Sequence, residues 1–423
     1  MKKLLGYIKI IYKKGLLHIL TGSFLTKLVA FFGSVFLVRA LSKQEFGILG
    51  YMENIYGYVL VLAGMGMSNA IIRYVVLGQT DAEKYGYYRY CIQKSVLWNL
   101  ILGLIAGVFF AFYPHPGMYK PYLWLLDVMF LMLPFQYLTD NLLCTDQAMF
   151  ANQRFARFSL LLSASVIFGK ALFGYLGGIV WAVIAQMCVY AVLAVVMLIS
   201  AHKKYFKGIV PAVLTRNEKR RVNKYALQYM ITNGLWAVFM LNDTFLLGRF
   251  SDPAVLAEYK VSYTIPGCVN LISTAIGIFV VPYFVRNEDN RGWVQSKFKL
   301  IYGLNAGAVG IICIGIAALA KPIVWILYGE QYLNIVPIMR LLLLAAFFNC
   351  GMRYTCANLL AAMGQVKYNM IVSAIAIVLQ VAINLAVIPR YGAMGVAATS
   401  CIIYLFMAIA LLAVFLWRYF RKN

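Results

Sequence analysis

The sequence predicts an all-α polytopic membrane protein from its composition, the length of its apolar runs and the distribution of its basic residues. Of the 423 residues, 63% are hydrophobic and 12% are charged, whereas a soluble domain carries about 25% charged residues. Apolar runs of helix length recur along the chain without strand-like alternation. Because every backbone polar group must be satisfied inside a membrane span, these runs are predicted to be helices.

About twelve runs reach the roughly 20 apolar residues that a transmembrane helix needs. Their centres lie near residues 30, 60, 102, 131, 165, 188, 237, 271, 309, 350, 379 and 405. The longest polar connection covers residues 201–225, at the midpoint of the chain. We therefore predict an N-terminal six-helix lobe of residues 1–205, a basic cytoplasmic linker of residues 206–225 and a C-terminal six-helix lobe of residues 226–423.

The N-terminal stretch MKKLLGYIKIIYKKG precedes the first predicted span. Its apolar run is interrupted by Lys9, Lys13 and Lys14, and no small-residue cleavage site follows. A cleavable signal peptide is therefore not indicated. The pattern favours an amphipathic stretch on the membrane surface.

Basic residues predict the orientation, since cytoplasmic segments carry the excess of Lys and Arg. With the N-terminus and residues 201–225 placed inside, 27 basic residues fall on the cytoplasmic side and 8 on the outer side. Both termini are therefore predicted to be cytoplasmic. The same asymmetry explains most of the +24 net charge, so nucleic acid is not indicated as a partner.

Neither enzyme chemistry nor a metal site is indicated. The eight Cys residues form no CxxC pair and the three His residues lie far apart, so no metal-ligand spacing exists. A phosphate-binding glycine loop and a nucleophile elbow are also lacking in the sequence. We expect no catalytic residues, and no cofactor beyond a possible coupling ion.

Three basic residues remain inside the predicted spans: Lys27, Lys170 and Arg353. Charges inside the membrane almost always face a bundle interior or a water-filled cavity. Lys27 also shares a small, polar helix face with Ser23 and Ser34. If the three cations converge, they suit an anion such as pyrophosphate, which Lys and Arg bind by charge-assisted hydrogen bonds. The alternatives are snorkelling of either lysine to an interface and pairing of Arg353 with a carboxylate.

Two acids, Asp243 and Glu53, are candidates for ion coupling. Asp243 shares a helix face with Asn233, and Glu53 adjoins Asn54; both asparagines are candidate substrate ligands. A carboxylate in such a site can exchange a proton as the cavity opens and closes, and Na⁺ coordination is equally allowed. The alternatives are ion pairing of either acid with Lys27 or Arg353 and, for Asp243, solvation near the periplasmic end.

Two further polar residues share a face of the eleventh predicted helix, Gln380 and Asn384. They are candidate ligands for sugar hydroxyls. Packing between helices is the favoured alternative, since polar residues often join transmembrane helices.

The two halves look related. LVRALSKQEFGILGYM follows the first span and LLGRFSDPAVLAEYKV follows the seventh. Each stretch pairs an apolar run with Arg, Ser and a short acidic turn at similar places. An even number of spans in each half predicts parallel repeats, with substrate bound in a central cavity between the two bundles.

Four segments together resemble Wzx-type polysaccharide flippases of the multidrug/oligosaccharidyl-lipid/polysaccharide exporter superfamily. Residues 37–75 are similar to the opening of those proteins, and residues 242–266 to their seventh span with its aspartate. Residues 328–345 resemble the connection from the ninth to the tenth span, and residues 358–400 the tenth to twelfth spans. The order and spacing of the four segments carry the resemblance.

The resemblance implies transport of undecaprenyl-pyrophosphate-linked oligosaccharides, for O-antigen, capsule or exopolysaccharide, across the bacterial inner membrane. Two six-helix lobes would enclose a cavity that opens to each side alternately. Cationic cavity residues would hold the headgroup, and H⁺ or Na⁺ would drive the cycle. We expect a monomer embedded in membrane lipid that works beside the polymerase and chain-length proteins of the pathway.

Two other functions compete with this one. A multidrug or toxin exporter of the same superfamily would expel organic cations and line its cavity with acids, whereas the spans here carry three cations. A membrane-embedded polymerase or glycosyltransferase usually presents a sizeable periplasmic loop with catalytic residues. Here the predicted outer connections are short and the large loop is cytoplasmic and basic.

The orientation is tested by single-cysteine labelling in an otherwise cysteine-free protein. With Lys219→Cys, a membrane-impermeant maleimide should react only after the inner membrane is permeabilised. With Pro116→Cys, it should react in intact spheroplasts, because this residue lies in a predicted periplasmic connection. The reverse pattern would overturn the predicted topology.

Overall fold

The computed structural model describes residues 16–287 and 289–420. Helices make up nearly all of this part of the chain, and it contains no β-strand. Six helical stretches within it are long and apolar enough to cross a membrane. They are Lys43–Leu77, Asp81–Phe112, Asn152–Phe206, Arg291–Ala318, Glu330–Ala362 and Lys367–Phe420. The protein is therefore a polytopic, all-helical membrane protein.

The chain divides into two compact units, Met1–Leu241 and Asn242–Asn423. The division falls inside a helix, Arg216–Phe250, rather than in a loop. The lobe limits predicted from the sequence, residues 205 and 226, stay a prediction.

From residue 16 onward, where the structure is described, the first unit contains six helices and most of a seventh. They are α1 (Leu16–Ala40), α2 (Lys43–Leu62), α3 (Met67–Leu77), α4 (Asp81–Phe112), α5 (Trp124–Ala148), α6 (Asn152–Ala201) and α7 (Arg216–Phe250). α1 packs along α6, α6 along α5, and α5 along α4. At Gly33 of α1, a Cβ atom would lie 2.5 Å from the Ile167 side chain of α6, so glycine permits the close approach.

A short break separates α2 from α3. Gly64, Met65 and Gly66 all have positive φ angles there, a conformation that is costly for a residue such as methionine. Side chains of α4 satisfy the freed backbone groups: the Gly64 N–H donates to Asn99 Oδ1 at 2.7 Å, and Trp98 Nε1 donates to the Leu62 carbonyl at 2.8 Å. Packing therefore stabilises the break.

The stretches that suggested an internal repeat both start a helix. α2 begins after Ser42, which forms a capping box with Glu45: each residue's side chain accepts a hydrogen bond from the other's backbone N–H. In the second unit, α8 (Pro253–Cys268) begins after Asp252 with a proline in its first turn. The similarity in sequence therefore corresponds to a similarity in local structure.

The N-terminal end of α7 is anchored to the first unit. Tyr90 OH donates to Asn223 Oδ1 at 3.0 Å, and a Cβ atom on Gly66 would lie 2.2 Å from the Ala226 carbonyl oxygen. Thr215 and Glu218 form a second capping box at the helix start. Hydrogen bonds from Thr215 hold the pKa of Glu218 below its usual value.

Seven further helices lie in the described residues of the second unit, 242–287 and 289–420. They are α8 (Pro253–Cys268), α9 (Asn270–Arg286), α10 (Arg291–Ala318), α11 (Ala320–Tyr328), α12 (Val336–Ala346), α13 (Tyr354–Ala362) and α14 (Val366–Phe420). A widened, π-helical turn, Phe347–Arg353, joins α12 to α13. α12 packs against both α8 and α14.

Glycines divide the two longest helices. α6 and α14 contain 50 and 55 residues, and an unbroken helix of that length would measure about 75–80 Å against a hydrocarbon core of about 30 Å. Gly177 and Gly178 leave helical geometry in α6, and Gly392 does so in α14. Each long helix therefore contains two segments of spanning length.

Candidate functional site

A buried carboxylate with four hydrogen-bond donors is the most elaborate polar site of the second unit. Asp243 Oδ1 accepts from Gln380 Nε2 at 2.8 Å and from Asn384 Nδ2 at 2.6 Å. Asp243 Oδ2 accepts from Ser400 Oγ at 3.0 Å and from Tyr259 OH at 3.2 Å. A carboxylate offers about four lone-pair positions, so these donors occupy all of them. We call these five residues the Asp243 cluster.

The Asp243 cluster brings several oxygen atoms together in one buried place. Gln380 Oε1 accepts from Asn242 Nδ2 at 3.4 Å. Asn384 Oδ1 is buried and finds no hydrogen-bond partner among the described residues. A carboxylate, two amides and two hydroxyls can serve either a proton or a hard cation such as Na⁺ once one of the donors moves away from the carboxylate. Within the described chain, no group of three His, Cys, Asp or Glu side chains could hold a metal ion.

The sequence singled out Asp243, Gln380 and Asn384 but did not connect them. Tyr259 and Ser400 were missed altogether. The structure buries Asp243, with 8% of its surface exposed, so the periplasmic solvation considered above does not occur in this conformation. One feature of the sequence could have connected Gln380 and Asn384 to Asp243. The two amides lie four residues apart on an apolar helix, and a buried carboxylate needs hydrogen-bond donors.

The second buried charge of this unit is Arg353, the last residue of the π-helical turn. Its Nε atom donates to Asn349 Oδ1 at 2.7 Å. The two residues lie four positions apart and share a helix face. A buried guanidinium can bind an anion with several donors in a fixed plane.

In the first unit, Lys170 and Glu53 form an ion pair. The Lys170 side chain is 5% exposed and the Glu53 side chain 32% exposed. An ion pair was the alternative considered for Glu53 from the sequence, but with Lys27 or Arg353 as the partner, whereas the structure pairs Glu53 with Lys170. Next to this pair, Asn54 is buried and its Nδ2 atom donates to the Leu241 carbonyl at 3.0 Å.

The two remaining predicted site residues are Lys27 and Asn233. Lys27 has an exposed side chain on α1, between exposed Leu25 and Leu28. The side chain of Asn233, like the N-terminal stretch of residues 1–15, lies outside the described part of the structure. The described contacts thus join Lys170 to Glu53 but do not join the predicted cations to one another.

Two acids of α5 were not singled out from the sequence. Asp146 pairs with Arg154, with 3.0 Å between Nε and Oδ1, and accepts from Tyr205 OH at 2.8 Å. Asp140 lies six residues earlier on the same helix, and its carboxylate accepts no hydrogen bond within the described residues. Their position inside a predicted span was the signal that could have found them.

Solved structures define the class to which this fold belongs. The chain is similar to the lipid II flippase MurJ in an inward closed conformation, with a TM-score of 0.71, 15% identity and coverage of 94% of this chain and 87% of that chain. It is also similar to a multidrug resistance MATE family transporter of the MOP superfamily, in an inward-facing conformation, with a TM-score of 0.68, 14% identity and 93% coverage of both chains. A MOP superfamily transporter from Pyrococcus furiosus gives a TM-score of 0.58, 15% identity and coverage of 95% of this chain and 93% of that chain. The fold is that of these membrane transporters.

The family follows from the sequence itself. Residues 36–337 match the sequence profile of the polysaccharide biosynthesis protein family, and the chain belongs to that family. No curated protein matches the chain. The resemblance to polysaccharide flippases predicted from the sequence is confirmed at the level of family and fold.

The Lys170–Glu53 pair leads to a prediction about stability. Lys170→Met should lower the free energy of unfolding by about 2 kcal/mol, since breaking a buried pair costs about 3–5 kcal/mol and solvent at Glu53 reduces that cost. The double variant Lys170→Met/Glu53→Gln should recover most of the loss. Thermal unfolding in detergent micelles measures both effects.

The exposed pair Lys84–Asp81, with 3.5 Å between Nζ and Oδ1, provides the matched control. Lys84→Met should change the melting temperature little, because exposed pairs contribute about 0–1 kcal/mol. If the double variant is as unstable as Lys170→Met alone, the loss comes from the lysine's packing and not from the ion pair.

Proposed function

We propose that this protein moves undecaprenyl-pyrophosphate-linked oligosaccharides from the cytoplasmic to the periplasmic leaflet of the bacterial inner membrane by alternating access. The observation that carries the proposal is a transporter fold in a chain of the polysaccharide biosynthesis family. The sugar units would belong to O-antigen, capsule or exopolysaccharide. The protein would act as a monomer beside the polymerase and chain-length proteins of the pathway.

The proposal includes twelve spans in two six-helix lobes, with both termini in the cytoplasm. The glycine breaks in α6 and α14 support the span count, because each divides one long helix into two spanning segments. The distribution of basic residues supports the orientation.

The headgroup would be held by Lys27 and Arg353, with Asn54 and Asn233 as further ligands. Arg353 supports this role because a guanidinium buried in an apolar helix is costly unless it has a function. Lys27 supports it because an exposed ammonium on α1 is available to a phosphate oxygen. Lys170 would contribute only after leaving Glu53.

The Asp243 cluster would couple transport to a proton or sodium gradient. Its support is a buried carboxylate whose described partners are neutral amide N–H and hydroxyl donors, so that no basic side chain among these partners fixes its charge. Glu53 is the second candidate for coupling, through exchange of its partner Lys170 for a proton.

Export of an organic cation is the competing function, and Asp140 favours it. A carboxylate without a described hydrogen bond inside a helix bundle suits a cationic cargo. The buried Arg353 favours an anion instead. Membership of the polysaccharide biosynthesis family supports the anionic, lipid-linked cargo.

The binding role of Lys27 is tested by surface display of the mature glycan in a flippase-deleted strain. Lys27→Ala should remove a contact worth about 1.5–3 kcal/mol, so the affinity for the lipid-linked cargo should fall about tenfold to a hundredfold and display should drop. Lys27→Arg should retain much of the function because the charge survives. Lys27→Glu should be the most damaging, since it opposes a phosphate with a like charge.

Membrane levels of each variant are measured alongside display. Lys120→Ala, which removes an exposed lysine from the connection between α4 and α5, serves as the control and should behave like wild type. A structural, snorkelling lysine would instead tolerate both Ala and Met. Normal display by well-expressed Lys27→Ala would remove this residue from the binding site.

The coupling role of Asp243 is tested with the protein reconstituted in liposomes. Asp243→Asn removes the exchangeable charge, so it should keep expression and lipid binding but lose dependence of transport on an ion gradient. Asp127→Asn changes an exposed acid in the first turn of α5 and should leave the gradient dependence intact. Transport by Asp243→Asn that still follows the proton and sodium gradients as wild type does would exclude Asp243 as the coupling group.

A further inference from the structure

The π-helical turn Phe347–Arg353 departs from α-helical hydrogen bonding in a specific way. The Tyr354 N–H donates to the Asn349 carbonyl, five residues earlier. An α-helix would place that bond four residues earlier. The turn therefore contains one more residue than the helix on either side requires, and such turns often occur at functional sites.

Side chains from two neighbouring helices bind the carbonyls of this turn. Asn305 of α10 donates through Nδ2 to the Cys350 carbonyl at 2.8 Å and to the Gly351 carbonyl at 3.0 Å. Ser273 of α9 donates through Oγ to the Cys350 carbonyl at 2.9 Å. Both side chains are almost completely buried.

Asn305 also reaches the helix beyond the turn. The same Nδ2 atom lies 3.0 Å from Thr355 Oγ1, one residue after Tyr354. A Cβ atom on Gly351 would lie 3.4 Å from Val309, one turn after Asn305, so α10 packs directly against the turn. Asn305 therefore contacts backbone inside the turn and a side chain in α13 simultaneously.

These contacts affect the direction in which the Arg353 side chain leaves the helix. Arg353 is the last residue of the turn. Each residue of an α-helix rotates the chain by about 100°. If the turn adopted regular α-helical geometry, Arg353 would therefore rotate by about 100° relative to α12. Carbonyls inside a lipid-embedded bundle need partners, so the donors from α9 and α10 favour the widened turn over the regular helix.

We propose that Asn305, assisted by Ser273, is a positioning residue that directs the Arg353 guanidinium toward the pyrophosphate of the cargo. The inference rests on the proposed function, because it assigns the direction of Arg353 to anion binding. Asn305 acts through the backbone of the π-helical turn. It makes no contact with the anion itself.

The experiment measures binding of undecaprenyl pyrophosphate to the full-length protein in nanodiscs. Asn305→Ala should weaken binding about tenfold, and the gentler Ser273→Ala about threefold. Arg353→Gln should weaken binding at least as much as Asn305→Ala. Adding Asn305→Ala to Arg353→Gln should weaken binding no further, since the positioned group is already gone.

Asn369→Ala is the matched control. Asn369 also donates through Nδ2 to a helix carbonyl of the second unit, that of Ala357 at 2.7 Å, but beyond the turn. The Asn369→Ala variant should lower the melting temperature as Asn305→Ala does. It should leave the affinity for undecaprenyl pyrophosphate unchanged. A loss of affinity that parallels the loss of melting temperature in both variants would overturn the positioning role.

Three results separate the inference from the function on which it rests. Wild-type affinity in Asn305→Ala and Ser273→Ala, with weak binding in Arg353→Gln, overturns the inference alone. The inference is also overturned if Asn305→Ala weakens binding equally in the wild-type protein and in the Arg353→Gln variant. The effect of Asn305 would then not act through Arg353. Wild-type affinity in Arg353→Gln overturns the proposed headgroup site and the inference together.

Discussion

Hydrogen bonding of the backbone in a water-free environment constrains the whole structure. Regular helices meet this constraint within each segment, and every departure from them needs a partner from elsewhere. At the break between α2 and α3, Asn99, Trp98 and Tyr137 bind the backbone groups that the helices leave free. At the π-helical turn, Asn305 and Ser273 do the same. Many buried polar residues of this apolar chain thus serve its irregular backbone.

The two units satisfy buried charge by different means. In the first unit, acids meet bases: Glu53 pairs with Lys170, and Asp146 with Arg154. In the second unit, the described partners of Asp243 are amides and hydroxyls. An ion pair fixes the charge of both members, whereas neutral donors allow a carboxylate to gain a proton or a cation without leaving a counter-charge unpaired. The second unit is therefore better suited to respond to an ion.

The apolar runs predicted the helices well, because span length and backbone satisfaction leave few other solutions. The predicted centre near residue 237 lies in α7, and the one near residue 309 lies in α10. The partners of Asp243 were not predictable, since Gln380, Asn384 and Ser400 lie 137–157 residues away in sequence. The π-helical turn was also hidden, because it depends on donors from other helices. Helical periodicity placed Lys27 on one face of its helix, but it could not decide whether the Lys27 side chain is exposed.

The Lys170–Glu53 ion pair has a consequence for how the protein enters the membrane during synthesis. Glu53 precedes its partner by 117 residues, so α2 leaves the ribosome and reaches the bilayer well before α6 exists. An unpaired charge near a helix centre costs about 3 kcal/mol on insertion scales. Until α6 arrives, the nascent first unit is an incomplete and less stable intermediate. Chains that stall before residue 170 would expose this defect to the cell's membrane proteases, because the ion pair forms only after the first part of α6 has been made.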